Sequence, residues 1–132
     1  MYFLHGWYLA ITGEALIDGG FVRWQYGPVV PSVYRALKDY GSMPIDDYLK
    51  QYHAPSEAYV PLFVDTKIMP MFKEVLERVW EQYAGFSATQ LSSMSHEVDG
   101  PWYQTAPNGN ISDEVIKNYF VKQAYQNEVS MQ

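Results

Sequence analysis

The sequence of 132 residues predicts a mainly α-helical protein with five to six helices and one small β-hairpin. Three observations lead to this fold class. Apolar residues recur at helical spacing in several segments, Gly and Pro separate these segments, and one Asp-Gly-Gly turn lies between two runs of strand-forming residues. The length and the 48% hydrophobic share are those of one globular domain, so residues 1–132 are expected to form a single domain.

The first element is a predicted helix over residues 2–12, which Gly13 ends. No N-cap residue precedes it, because Met1 lies directly against the periodic run. A helix of this length is marginal alone and depends on packing for its stability. Its predicted buried stripe consists of Phe3, Leu4, Trp7, Tyr8 and Ile11.

A hairpin is predicted next, with strands at residues 15–17 and 21–26 around the turn Asp18-Gly19-Gly20. The two-residue period of a strand would place Trp24 and Tyr26 on one face. Gly27 and Pro28 are expected to end the second strand.

The remaining segments are predicted helices with one irregular stretch. Pro31 fits the first turn of a helix that Gly41 caps. Ser87 with Gln90 forms a capping box, and Ser112 caps the last helix, where Ile111 and Ile116 fit a hydrophobic staple. The stretch from 42 to 65 is expected to be an irregular crossover, with a short helix at 46–52 as its one regular element. A further helix is predicted over residues 66–83, and its inward residues are Ile68, Phe72, Val75, Leu76, Val79, Trp80 and Tyr83. The other predicted elements are a short helix through Met94 and loops at 101–102 and 108–110.

Composition excludes several classes of function. The net charge of −6 gives no counterion-release affinity for a phosphate backbone, so nucleic acid is not the expected partner, whereas a basic protein is compatible. The absence of cysteine excludes disulfides and thiolate metal sites. No apolar stretch approaches the ~20 residues that span a bilayer, and no secretory signal is visible, so a cytoplasmic protein without a membrane segment is expected. Aromatic residues reach 17%, and rings fill cores as well as protein interfaces.

No catalytic, metal or cofactor motif stands out. His96-Glu97 resembles the start of a zinc-protease helix, but Gly100 occupies the place of the second histidine, and no phosphate loop or nucleophile elbow is present. A histidine near a helix C-terminus has a structural explanation in the helix dipole. Trp102 is either a lid over the core or an exposed anchor, and Trp24 and Tyr26 carry the same two interpretations.

Three regions of the sequence resemble one known family. The runs from Trp7 to Gly13 and from Trp24 to Tyr34, together with Ser95-His96-Glu97 ahead of Pro101-Trp102, are similar to the Panacea domain, the family of phage-associated GepA-type proteins and SocA-like antitoxins. The resemblance implies a mostly helical protein-binding domain with a small hairpin. It also implies a role in neutralising toxins, in the SocA-type members by delivering the toxin to a AAA+ protease.

The chain departs from this family at its start. Family members usually carry one more helix, whereas this sequence begins where the second helix is already under way. The residues left uncovered, Phe3, Leu4 and Trp7, are therefore expected to form an exposed apolar patch that an external chain covers, such as a second copy, unless the native start lies upstream. Ser95 replaces the family's threonine and keeps its hydroxyl group.

Three functional hypotheses follow from these residues and this resemblance. The first is an antitoxin-like module, not an enzyme, that sequesters a toxin or presents it to a protease. The second is a phage-encoded protein that inhibits a host defence factor, and the third is an enzyme that uses His96 and Glu97. The predicted partner-binding residues are Trp24, Tyr26, Pro28, His96, Glu97 and Trp102, with no catalytic residue, metal ligand or cofactor assigned.

Overall fold

The first and last helices form the centre of the fold. Helix α1 (Tyr2–Thr12) packs against helix α6 (Asp113–Ser130). The structure is a computed structural model that describes residues 1–18, 20–61, 64–65 and 67–130, with side chains up to residue 127. Their closest approach is at Gly6, where an added Cβ would lie 2.1 Å from the ring of Phe120. Because even the smallest side chain would overlap this ring, glycine at position 6 sets the distance between the two helices.

Helix α1 has the predicted bounds, but its buried face differs from the predicted stripe. It ends at Gly13, whose φ of 77° is left-handed and whose N–H donates to the Leu9 carbonyl. Of the predicted stripe only Tyr8 is buried, while Ile11 is exposed. A histidine can face the core here because Asp113 and the Ile17 N–H satisfy both nitrogens of its ring. The buried residues of α1 are Tyr2, His5, Gly6, Tyr8 and Leu9.

The predicted hairpin exists, but it lies later in the chain. Strands β1 (Phe21–Trp24) and β2 (Gly27–Val29) pair antiparallel around a turn at residues 25–26, and residues 15–17 form no strand. Gly27 begins β2 instead of ending the preceding strand. Its φ of 140° is one that glycine adopts without strain. The predicted turn includes residue 19, which lies outside the described residues.

This shift also changes the role of two predicted residues. Tyr26 lies in the turn and does not share a strand face with Trp24. Pro28 is part of β2 rather than the end of the strand, and it is tolerated because β2 is at the edge of the sheet. The other edge of β1 pairs with β5 (Asn110–Ile111) where a loop was predicted, which gives the antiparallel order β2-β1-β5.

Helix α2 (Pro31–Leu37) begins at Pro31 as predicted and continues as a 3-10 turn over Lys38–Tyr40 before Gly41. The helix predicted at residues 46–52 is wrong. Residues 50–61 instead form strands β3 (Lys50–His53) and β4 (Ala58–Pro61), joined by a 3-10 turn at Ala54–Ser56. All residues from 41 to 59 are exposed, and we refer to residues 41–61 as the exposed arm.

Helix α3 (Phe72–Tyr83) begins later than predicted, and residue 66, the predicted start, lies outside the described residues. Its inward face is narrower than predicted, and at its C-terminal end the Tyr83 ring stacks on Phe3 of α1. Val75 is buried, whereas Ile68, Leu76 and Trp80 of the predicted stripe are exposed.

The caps of the later helices are confirmed. Helix α4 (Ala88–Ser95) opens with the predicted capping box, in which the Ser87 hydroxyl accepts from the Gln90 N–H and the Gln90 side chain accepts from the Ser87 N–H. Ser112 accepts from the Val115 N–H at the start of α6. The loop predicted at 101–102 is a short helix, α5 (Pro101–Gln104), because Pro101 occupies its first turn.

The described residues thus contain six α-helices and two small antiparallel sheets, which confirms the mainly α class and adds a second hairpin to the predicted one. None of the helices in the described ranges combines the length and the apolar character that a bilayer crossing requires.

Candidate partner-binding surface

Four of the predicted partner-binding residues lie together at the β1–β2 turn: Trp24, Tyr26, His96 and Trp102. The rings of His96 and Trp102 lie 3.8 Å apart between centroids. His96 Nε2 donates to the Gln25 carbonyl at 3.0 Å, and Nδ1 contacts the Ser92 carbonyl. Both ring nitrogens therefore face backbone acceptors, and His96 ties the end of α4 to the turn.

Trp102 is buried, so of its two interpretations the lid over the core fits the structure. Its Nε1–H donates to the Trp24 carbonyl at 2.8 Å, which joins α5 to β1. The guanidinium carbon of Arg23 lies 3.9 Å from the Trp102 ring centroid, and the same group donates to the carbonyl of Thr105 at 2.5 Å. Trp102 thus positions the turn and presents no exposed indole of its own.

The accessible part of this cluster is its aromatic rim. Tyr26 is 77% exposed, and its backbone is fixed because the Ser92 hydroxyl donates to its carbonyl at 2.5 Å. Trp24 is half-buried and meets Tyr34 edge to face at 5.0 Å, with Tyr34 itself exposed. Pro28 is half-buried opposite Arg23 in the hairpin. We call Trp24, Tyr26 and Tyr34 the turn surface.

Glu97 is not part of this cluster, although it follows His96 in sequence. Its carboxylate accepts a hydrogen bond of 2.7 Å from the Tyr119 hydroxyl on α6. It lines a cavity of about 140 Å³ together with Phe3 and Trp7, which we call the aromatic cavity. The structure therefore places two groups of predicted residues, one at the turn and one at this cavity.

The expected N-terminal patch is only half exposed. Phe3 stacks on Tyr83 at 4.5 Å, and Trp7 donates from its indole N–H to the Tyr83 hydroxyl at 2.9 Å. Leu4 is half-buried as well. Helices α3 and α6 thus cover much of the surface that the sequence predicted to be open, because Tyr83 and Phe120 lie against it.

The two tyrosines of the aromatic cavity keep their protons at neutral pH. Burial raises the pKa of Tyr119, and the Glu97 carboxylate raises it further as hydrogen-bond acceptor and as charge. Burial also raises the pKa of Tyr83, the Trp7 hydrogen bond opposes this, and the Glu97 charge adds to the rise. The cavity therefore presents neutral hydroxyl groups beside one carboxylate.

Sequence reasoning missed the exposed arm as a surface. Seven of the 12 tyrosines are exposed, so core filling does not account for most of them. Several lie in the stretch between 42 and 65, where the absence of helical spacing was the available signal. The large hydrophobic residues exposed in the arm are Met43, Ile45, Tyr48, Leu49, Tyr52 and Tyr59.

Within the described ranges, no three His, Cys, Asp or Glu side chains are placed to share a metal ion. A family model described as antitoxin SocA-like, Panacea domain, matches residues 1–103. The Antitoxin SocA of Caulobacter vibrioides (strain NA1000 / CB15N) is 34% identical over 128 residues, which cover 91% of this chain and 67% of that protein. No solved structure matches the chain. Over most of its length, the chain therefore belongs to the antitoxin SocA-like Panacea domain family.

Proposed function

We propose that this chain is an antitoxin-like binding protein that recognises a toxin protein and neutralises it without chemistry of its own. The observation that carries the proposal is the set of exposed aromatic residues in the exposed arm and the turn surface, on a chain of this antitoxin family. His96 supports binding over catalysis, because backbone carbonyls occupy both of its ring nitrogens.

The exposed arm and the turn surface have the composition of protein interfaces. Tyrosine and tryptophan provide a large contact area at a low cost in conformational entropy and are enriched at binding hot spots. Tyr48 and Tyr26 are each 77% exposed, and Tyr59 is 72% exposed. The net charge of −6 favours a basic toxin, since opposite charges steer association.

Neutralisation takes one of two forms. The chain either covers the active surface of the toxin or presents the toxin to a AAA+ protease as a proteolytic adaptor. These forms differ in the lifetime of the toxin, which is unchanged or longer when the toxin is covered and shorter when it is delivered.

The test is growth rescue by a defined pair of proteins. The protein encoded beside this chain's gene is induced in a host with and without this chain, and its half-life is followed after synthesis stops. We expect growth arrest that this chain relieves, and half-lives with and without the protease then separate the two forms. A neighbouring product that arrests growth equally in the presence of this chain would contradict the proposal.

A matched pair of variants locates the surface. Tyr48→Ser with Tyr59→Ser removes two exposed rings of the arm, and Tyr125→Ser removes a ring of α6 that is 66% exposed. We expect the double variant to lose rescue and the α6 variant to retain it. Rescue by both would exclude the exposed arm as the toxin-binding surface.

Two further expectations belong to this proposal. We propose that residues 1–132 act as one domain, which predicts a single cooperative unfolding transition. Self-association through the half-covered N-terminal residues is the alternative to an external partner, and it predicts a concentration-dependent dimer in sedimentation experiments.

A further inference from the structure

The aromatic cavity has walls that suit a cation. The rings of Phe3, Trp7, Tyr83, Tyr119 and Phe120 line it, and they brace one another through stacked and edge-to-face contacts of 4.5 to 5.3 Å. Aromatic faces attract cations through their quadrupole. Because these rings are already packed, the cavity is formed before any ligand enters.

Glu97 gives this cavity a negative charge for which the described residues supply no ion-pair partner. It is the one charged group among the described residues lining the cavity, and none of those residues is basic. The described ion pairs involve other carboxylates, those of Asp47, Glu74 and Asp113. Glu97 is exposed, so it stands where the cavity opens to solvent.

We propose, building on the function proposed above, that the aromatic cavity binds the guanidinium group of an arginine side chain presented by the protein partner. A guanidinium is planar, stacks on aromatic rings and donates two parallel hydrogen bonds to a carboxylate. A cavity of about 140 Å³ has room for a group of roughly the size of benzene, which a guanidinium with its adjoining methylenes matches. A lysine ammonium would fill less of the cavity and stack less well.

The geometry assigns a part to each wall. Tyr119 donates to Glu97 Oε2 and takes one of its acceptor sites, so Oε1 and the second site of Oε2 can accept the two parallel N–H bonds of the guanidinium. The hydroxyl of Tyr83 accepts from Trp7 and so holds the indole in place beside the cavity. The site thus consists of one fixed carboxylate and a pre-formed aromatic wall.

The test uses two peptides of nearly the same shape, of which one is charged and the other neutral. Acetyl-Gly-Arg-Gly-amide is titrated into the ¹⁵N-labelled chain, and the indole N–H signal of Trp7 is followed by NMR. The control peptide carries citrulline, the neutral isostere of arginine. We expect a saturable shift with the arginine peptide and binding at least about fivefold weaker with the citrulline peptide, the difference that a surface cation–π and ion-pair contact contributes.

Two variants place the site. Glu97→Gln removes the charge and keeps an acceptor for Tyr119, whereas Glu77→Gln removes an exposed carboxylate of α3 that lies outside the cavity. We expect the first to weaken arginine binding about fivefold and the second to leave it unchanged. Equal binding of the two peptides, or equal binding to both variants, would overturn the inference. If the unmodified chain failed to rescue growth, the proposed function would be overturned instead, so the two failures are distinct.

Discussion

The core and the exposed arm contain the same kind of ring contact in opposite surroundings. In the core, Tyr2 meets Phe120 edge to face at 5.6 Å, and both rings are almost fully buried. In the arm, Tyr52 meets Tyr59 edge to face at 5.4 Å, yet the two residues are 54% and 72% exposed. The ring geometry is therefore shared, and burial is what separates the two regions. Since the hydrophobic contribution follows the area removed from water, the core rings stabilise the fold and the arm rings remain available for binding.

The largest effect is expected from removing the central ring of the core. Phe120→Ala leaves a cavity against Gly6 and removes the contacts with Tyr2, Phe3 and Trp7. We expect the free energy of unfolding to fall by roughly 3–5 kcal/mol in urea titrations. Tyr125→Ala on the same helix is the control and should change it by less than about 0.5 kcal/mol. A loss of similar size in both variants would show that burial does not separate the two sets of rings.

The next effect concerns a fully buried polar residue, His5. His5 is fully buried, donates from Nε2 to Asp113 at 2.8 Å and accepts the Ile17 N–H at Nδ1 at 3.2 Å. His5→Leu leaves the Ile17 N–H without its acceptor, which is expected to cost about 1–3 kcal/mol of unfolding free energy. Asp113→Asn retains an acceptor for Nε2 and should cost less. If the Asn variant lost as much stability as the Leu variant, the Ile17 bond would have no measurable share in the effect.

A third, smaller effect appears only at alkaline pH. Burial raises the pKa of Tyr2, and the neighbouring Tyr83 adds to the rise. Above the ordinary pKa of about 10 the unfolded chain therefore releases a proton that the folded chain keeps, so stability falls as pH rises. Between pH 9 and 11 we expect this residue to account for roughly 1.4 kcal/mol. Tyr2→Phe keeps the ring contacts and should remove that part of the pH dependence in urea titrations at the two pH values. An identical pH dependence in both proteins would contradict the assignment.

The comparison also explains which parts of the fold the sequence predicted. Helix α1, the Ser87 capping box and the Ser112 cap follow from local signals, because a glycine stop or a capping hydroxyl acts within a few residues. The buried face of α1 did not follow, because the partners of His5 lie 12 and 108 residues further along the chain. Burial set by distant residues is invisible to helical spacing.

The same distinction holds for the hairpins and the candidate surface. The Asp-Gly-Gly turn predicted a hairpin between residues 15–17 and 21–26. In the structure Phe21 and Val22 pair with β5, about 90 residues away, and the hairpin forms between β1 and β2. The arm was predicted as an irregular crossover with a short helix at 46–52, and the pairing of β3 with β4 in the exposed arm was not predicted. Glu97 was selected next to His96, yet its position relative to Tyr119 and Trp7 depends on how α1, α3 and α6 pack.

The smallest effect is expected in the arm itself and measures what an exposed ring pair contributes. Tyr52 and Tyr59 are directly opposite in the β3–β4 register, so a double-mutant cycle with Tyr52→Ser and Tyr59→Ser isolates their interaction. We expect a coupling energy of about 0.2–1 kcal/mol, measured as local opening by hydrogen exchange at the amides of β3 and β4, with global unfolding changed by less than about 0.5 kcal/mol. Toxin binding should fall in the same variants, because the rings removed are exposed ones. If global unfolding followed the local loss, the arm would be part of the core's cooperative unit, and its tyrosines would contribute to the fold as Phe120 does.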